Sequence, residues 1–229
     1  TFTDAVFEIV SGLTTTGASV VPTVENLSRS VLFWRSFSHW IGGMGVIVFV
    51  MAVTSRAPDR SMHILRAEMP GPIVDKLVPR SKDTAKILYL IYMGMTIALI
   101  IALLLCGMPL FDSIVHAFGT AGTGGFGIKS DSIAGYSKAA QWVITVGMFL
   151  FGVNFNLYYL ILIKKFKSAI RSQELWVYSG LVVGSTFIIA FNILNLCSNF
   201  AEALRLSAFQ VCSIISTTGY STTNFDLWP

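Results

Sequence analysis

Four long stretches without a single Asp, Glu, Lys or Arg govern what this chain can fold into: residues 36–55, 87–111, 139–163 and 175–201. A helix of about 20 residues crosses the ~30 Å hydrocarbon layer of a bilayer, and each stretch is at least that long. The composition agrees with lipid as the solvent. Only 12% of the 229 residues are charged and 54% are hydrophobic, with a mean hydropathy of +0.69, whereas soluble domains carry roughly 25% charged residues. Spanning helices are therefore expected at about 33–54, 85–106, 140–163 and 175–196. Trp34, Trp40, Trp142 and Trp176 lie at or near their ends, where amphipathic rings favour the interface.

The basic residues orient these spans. Segment 55–86 holds Arg56, Arg60, Arg66, Lys76, Arg80, Lys82 and Lys86, and the connector after the third span holds Lys164, Lys165, Lys167 and Arg171. Together they carry 11 of the 16 basic residues, which places both connectors in the cytoplasm and the intervening segments outside. The net charge of +4 thus reports membrane orientation rather than nucleic-acid binding. Residue 1 is threonine, so the chain is expected to be part of a longer one.

Three segments remain, 1–30, 108–138 and 198–229, and they are not ordinary loops. Each starts as a short apolar helix and ends in Thr, Ser and Gly: TFTDAVFEIVSGLTTTGAS, LFDSIVHAFGTAGTGGFG and LRLSAFQVCSIISTTGYS. Aligning Gly17, Gly125 and Gly219 brings Thr15, Thr123 and Thr217 together, and also Asp4 and Asp112 at expected half-helix N-caps, with Leu206 in the third copy. The chain thus repeats a unit of span, half-helix with loop, and span. Backbone that is not helical is tolerated at membrane depth only where protein buries it or water reaches it. A half-helix directs the negative end of its dipole inward, and the loop after it can aim carbonyl oxygens at a dehydrated cation. A single Thr-Thr-Gly is as well explained by close helix packing, the role expected of Gly42, Gly43 and Gly45. Three copies in register favour a pore lining.

These loops, T14-T15-T16-G17-A18-S19, G122-T123-G124-G125-F126-G127 and S216-T217-T218-G219-Y220-S221, resemble those of the Trk/Ktr/HKT superfamily of potassium transporters. The stretch FWRSFSHWIGGMGVIVF at 33–49 is similar to the helix after the second pore loop of Trk-type membrane subunits. The resemblance implies an all-α membrane protein of span–pore loop–span units around a pseudo-fourfold pore. It divides the chain into the second repeat (1–54), a cytoplasmic connector (55–84), the third repeat (85–163), a second connector (164–174) and the fourth repeat (175–229). It assigns potassium coordination to carbonyls of Thr15, Thr16, Thr123, Gly124, Thr217 and Thr218, with Gly17, Gly125 and Gly219 as filter glycines. Glycine at those positions is associated with potassium preference and serine in the first loop with sodium transport.

The resemblance also implies potassium uptake across the cytoplasmic membrane of a prokaryote, a homodimer, cytosolic nucleotide-binding RCK-type regulatory subunits, and no cofactor. Alternatives are a sodium-conducting or sodium/potassium-symporting relative and a non-conducting structural subunit. It further implies an intramembrane gate in the helix QWVITVGMFLFGVNFNLYYLILIKK, 141–165, interrupted by Gly152, Asn154 and Asn156. The Gly-rich Ser-Thr-Gly-Gly-Gly run of many relatives is absent there. An Asn-mediated helix contact is the other reading of those asparagines.

Catalytic and transition-metal chemistry find no support. No G-x-S-x-G occurs and no span contains Asp, and neither His39, His63 and His116 nor Cys106, Cys197 and Cys212 have ligand spacing. The histidines are expected at interfaces or in loops, Arg29 and Arg35 are expected to snorkel to headgroups, and the cysteines to fill apolar space.

Overall fold

The structure, a computed structural model, describes residues 1–45 and 81–229, and among them every regular element is helical. The helices are α1 (Phe2–Leu13), α2 (Arg29–Gly43), α3 (Ser81–Leu105), α4 (Leu110–Ala121), α5 (Lys138–Phe151), α6 (Phe155–Leu162), α7 (Phe166–Ile170), α8 (Gln173–Asn192) and α9 (Phe200–Ile215). Helices α3 and α8 are long and apolar enough to cross a membrane. The third expected span is α5 plus α6, bent by 86° at the break between them. The first expected span starts earlier than residue 33, because the Ser28 hydroxyl accepts the Val31 amide and opens α2 at Arg29. Its remainder, His63 and most of connector 55–84 lie outside the described residues. The connector 164–174 contains a helix of its own, α7.

Helices α1 and α4 have 12 residues each, about 18 Å at 1.5 Å per residue, too short to cross. Helix α9 has 16. All three end four residues before their glycine, so the extra turn of α9 lies at its N-terminus. This corrects the expected caps. Asp4 and Asp112 are not N-caps but sit at the third helical position, behind Thr1 and Pro109. The third helix has Glu202 at that position, not Leu206, behind an Asn199 cap whose side chain accepts the Glu202 amide at 2.9 Å.

Burial is inverted relative to a water-soluble protein. Leu90, Ile97 and Ile101 on α3 and Leu181, Ile188 and Phe191 on α8 face outward, whereas Ser36, His39, Thr96, Ser113, His116 and Gln141 are buried. With hydrocarbon outside, apolar side chains gain nothing by hiding and polar ones must find partners inside. Helix α4 packs against α3 and α5 of its own repeat and against α2 of the preceding one; α9 packs likewise against α8 and back against α5. Gly42 and Gly43 let α2 approach closely, since a Cβ on either would strike Leu13 backbone or Gly122 and Tyr92. The core between these helices centres on Tyr92, Leu103, Ile144, Met148 and Phe209.

Candidate ion-binding loops

The three half-helices end in one and the same way. The Thr16 amide donates to the Ser11 carbonyl at 3.0 Å and the Thr15 amide to the Gly12 carbonyl at 3.1 Å. In the second loop Gly124 donates to Gly119 at 3.0 Å and Thr123 to Thr120 at 3.2 Å; in the third, Thr218 donates to Ser213 at 2.9 Å and Thr217 to Ile214 at 3.0 Å. This is the Schellman closure, which requires a left-handed residue just past the cap and ordinarily uses glycine. Here threonine fills it each time, with φ of 55° at Thr15, 52° at Thr123 and 61° at Thr217. A left-handed L-residue costs roughly 1–2 kcal/mol, and β-branching makes it a true outlier. The same strain held in three places is what a functional backbone looks like.

Two residues later come Gly17, Gly125 and Gly219 with φ of 74°, 74° and 83°. The residues between, Thr16, Gly124 and Thr218, are not among those with positive φ. Alternating φ sign gathers successive N–H groups on one side of the chain and carbonyl oxygens on the other. Each Thr-x-Gly segment is therefore a short carbonyl-bearing strip.

The strips contact one another in a constant sense. A Cβ on Gly17 would collide with the Gly124 carbonyl oxygen, and a Cβ on Gly125 with the Thr218 carbonyl oxygen. Around Gly219 the same test meets nothing within 4 Å. Beyond the strips the order repeats: Glu25, after the first loop, accepts the Ser130 amide at 2.6 Å and hydroxyl at 2.7 Å. After the second loop, Ile133 donates to the Ser221 carbonyl at 3.0 Å, and the Ser132 hydroxyl accepts the Ser221 amide at 3.2 Å. The structure thus sets the three loops that carry the nine sequence-expected residues side by side, first against second at Gly17 and Gly124, second against third at Gly125 and Thr218.

The loops differ in what braces them. Hydroxyls pair within the first (Thr14 with Thr16, 2.8 Å) and the third (Ser216 with Thr218, 2.7 Å). The second has Gly122 and Gly124 at those positions, and the bare backbone lies against α2 instead, with the His39 carbonyl beside Gly122 and the His39 ring beside Gly124. The same ring stacks on Phe126 at 4.1 Å. Arg35, one turn earlier, places its guanidinium 4.1 Å from the centre of the Phe126 ring, donates from Nε to Glu8 at 2.8 Å, and reaches Ser19 at 3.0 Å.

Sequence reasoning missed these backing groups. Arg35 does not snorkel but is 4% exposed, and His39 and His116 are fully buried rather than interfacial. Their one legible signal was a charged or polar side chain on a helix whose other faces are apolar. Arg29, in contrast, lies over the Phe111 ring at 5.7 Å.

The break in the third repeat is built from hydrogen bonds. Gly152 caps α5, and Asn154 caps α6 by accepting the Asn156 amide at 3.0 Å. The Asn154 amide group donates to Glu174 of α8 at 3.1 Å. Carbonyls at the end of α5 also accept hydroxyls, Leu150 from Tyr158 at 2.7 Å and Phe149 from Tyr178 at 3.1 Å. A Cβ on Gly152 would strike Tyr178, so glycine is what admits that hydroxyl. Asn154 is thus a cap and a contact to α8, and Asn156 stands in the first turn of α6 as the donor to that cap.

Residues 1–194 match the TrkH family of cation transport proteins. The chain belongs to that family. Its curated TrkH relatives include the Trk system potassium uptake protein TrkH of Salmonella typhimurium, 37% identical over 236 residues that cover 100% of this chain and 48% of the relative. The protein TrkG of Escherichia coli, also named a Trk system potassium uptake protein, is 37% identical over 234 residues with the same coverage. Among solved structures, the crystal structure of the potassium transporter TrkH from Vibrio parahaemolyticus superposes with a TM-score of 0.78 at 32% identity, over 100% of this chain and 47% of that one. The chain spans about half the length of the TrkH relatives it matches. The all-helical fold with repeated loop units is therefore the TrkH fold.

Proposed function

We propose that this chain supplies three carbonyl-bearing loops of a potassium uptake pathway across the cytoplasmic membrane of a bacterium. One observation carries the reading: in two successive loop pairs, the filter glycine of one loop seats the carbonyl oxygen of the next, and each loop has the same strained Thr-x-Gly backbone. Potassium sheds water at the carbonyls of Thr15 and Thr16, Thr123 and Gly124, and Thr217 and Thr218, stabilised by the C-terminal dipoles of α1, α4 and α9. The open flank of Gly219 is where a further loop of the longer protein completes the ring. The relatives named potassium uptake proteins support potassium as the cargo, and glycine at all three visible filter positions supports it over sodium. No organic cofactor is needed, because the ion itself is the ligand, and no catalytic step is proposed.

In the same reading the break at Gly152–Asn154 is the intramembrane gate, the loops open outside, and connectors 55–84 and 164–174 face the cytoplasm. The protein works as a homodimer, with RCK-type nucleotide-binding subunits docking on the cytoplasmic side. The test is growth of a bacterium stripped of its own potassium uptake systems and supplied with the full-length protein. Growth at micromolar potassium is expected. Growth only at high potassium, with the protein present in the membrane, would contradict the reading.

A further inference from the structure

In each loop the peptide carbonyl just past the filter glycine needs a donor, and each finds a buried hydroxyl. In the first, the Ser11 hydroxyl donates to the Ala18 carbonyl at 2.6 Å. In the third, the Ser213 hydroxyl donates to the Tyr220 carbonyl, also at 2.6 Å. Ser11 and Ser213 stand six residues before their glycines; the second loop has Gly119 there. Its carbonyl, that of Phe126, instead accepts from the phenol of Tyr220, at 3.0 Å, out of the third loop. The substitution is mutual. A Cβ on Gly119 would collide with the Tyr220 hydroxyl, so a serine at 119 and a tyrosine at 220 exclude each other.

We infer that Tyr220 is a positioning residue for the second loop, its hydroxyl holding the Phe126 carbonyl as Ser11 and Ser213 hold theirs, so that the third loop sets the ion-binding geometry of the second. The Tyr220 side chain is completely buried, where an unpartnered hydroxyl would be costly and a phenylalanine would pack as well. Further contacts fix the hydroxyl: it lies 3.4 Å from His116 Nδ1, whose Nε2 lies 3.3 Å from the Tyr136 hydroxyl, and Tyr136 in turn donates to Asp112 at 2.8 Å. The phenol is thus the buried end of a chain of polar groups that begins at the half-buried Asp112. The inference rests on the loops being the ion path, and the experiment separates the two ideas.

The measurement is the potassium-to-sodium flux ratio of the full-length protein in liposomes, for wild type, Tyr220→Phe, Gly119→Ser and the double variant, each with its assembled fraction read by size-exclusion chromatography. A potassium-selective wild type establishes the path itself; an unselective wild type overturns that reading and this inference together. With a selective wild type, Tyr220→Phe is expected to lower the ratio by roughly threefold to tenfold, the range one hydrogen bond supports. Gly119→Ser alone is also expected to lower it, because of the collision. The double variant restores the ratio, since the introduced serine supplies the hydroxyl from within the loop once the phenol oxygen is gone. A merely space-filling tyrosine predicts no such rescue. A Tyr220→Phe ratio equal to wild type, or a double variant no better than Tyr220→Phe, overturns the inference. If Tyr220→Phe does not assemble, the double variant decides alone: assembly with a wild-type ratio supports the brace, and failure to assemble overturns it.

Discussion

Gly125 and Thr218 belong to different loops, yet the Gly125 Cα lies so close to the Thr218 carbonyl oxygen that any β-carbon there would strike it. The contact has a partner one loop back, Gly17 against the Gly124 carbonyl. A serine at 125 must therefore push away an oxygen that the proposed path uses, and must do so with φ at 74°. Gly125→Ser is expected to lower the potassium-to-sodium flux ratio by at least about tenfold, which is about 1.4 kcal/mol of discrimination, with the assembled fraction unchanged. An unchanged ratio would remove Gly125 from the filter.

The ion pair behind the first loop gives a stability prediction. Arg35 and Glu8 meet at 2.8 Å with side chains 4% and 10% exposed, and Glu8 also accepts the Ser19 hydroxyl at 2.8 Å and the Val20 amide at 2.7 Å. Removing one partner strands the other charge, at a cost of about 3–5 kcal/mol. Arg35→Leu should therefore lower the thermal midpoint in detergent sharply, and Glu8→Leu with Arg35→Leu should lower it by much less than the two single changes summed. Additive losses would show that the pair is not coupled.

Much of this was legible before any coordinates. Uncharged length located the two long apolar helices α3 and α8, and the Thr-Gly register located all three loops, because a ~100-residue repeat leaves the same local chemistry three times over. Helix starts were less legible. Asp4 and Asp112 suggested caps, but the acidic residue sits at the third helical position, and the extra turn of α9 moved its equivalent to Glu202. Which groups back the second loop was not legible from that loop. Nothing local to Gly122 and Gly124 announces that His39 and Tyr220, 85 and 96 residues away from Gly124 in the chain, replace hydroxyls that the other loops carry themselves. Long-range compensation of that kind appears only when the helices are packed.

At the break between α5 and α6, Asn154 closes the first turn of α6 and ties it to Glu174. Losing such a cap costs typically about 1 kcal/mol. If this segment gates the path, Asn154→Ala is expected to raise the potassium flux several-fold while leaving the potassium-to-sodium ratio unaltered, because the filter loops are not touched. A changed ratio at constant rate would assign Asn154 to selectivity instead of gating.

Beyond the spanning helices, Glu25 clasps Ser130, whose amide first and hydroxyl second hold the carboxyl below its ordinary value of 4.5. A group depressed in the folded state contributes stability above its unfolded value and loses it as pH falls through the folded one. The clasp is therefore intact at pH 6 and opens in acid, below 4.5. Hydrogen exchange at the Ser130 amide, referenced to Glu25→Gln at each pH, is expected to show extra protection in wild type that disappears in that acid range. Protection equal in the two proteins at pH 6 would contradict the clasp.

The central claim, that the three Thr-x-Gly strips are part of a potassium path, is tested most directly by ion flux into liposomes carrying the full-length protein. Potassium entering with sodium largely excluded is the predicted result. Sodium entering as fast as potassium, from protein shown to be assembled, would contradict it.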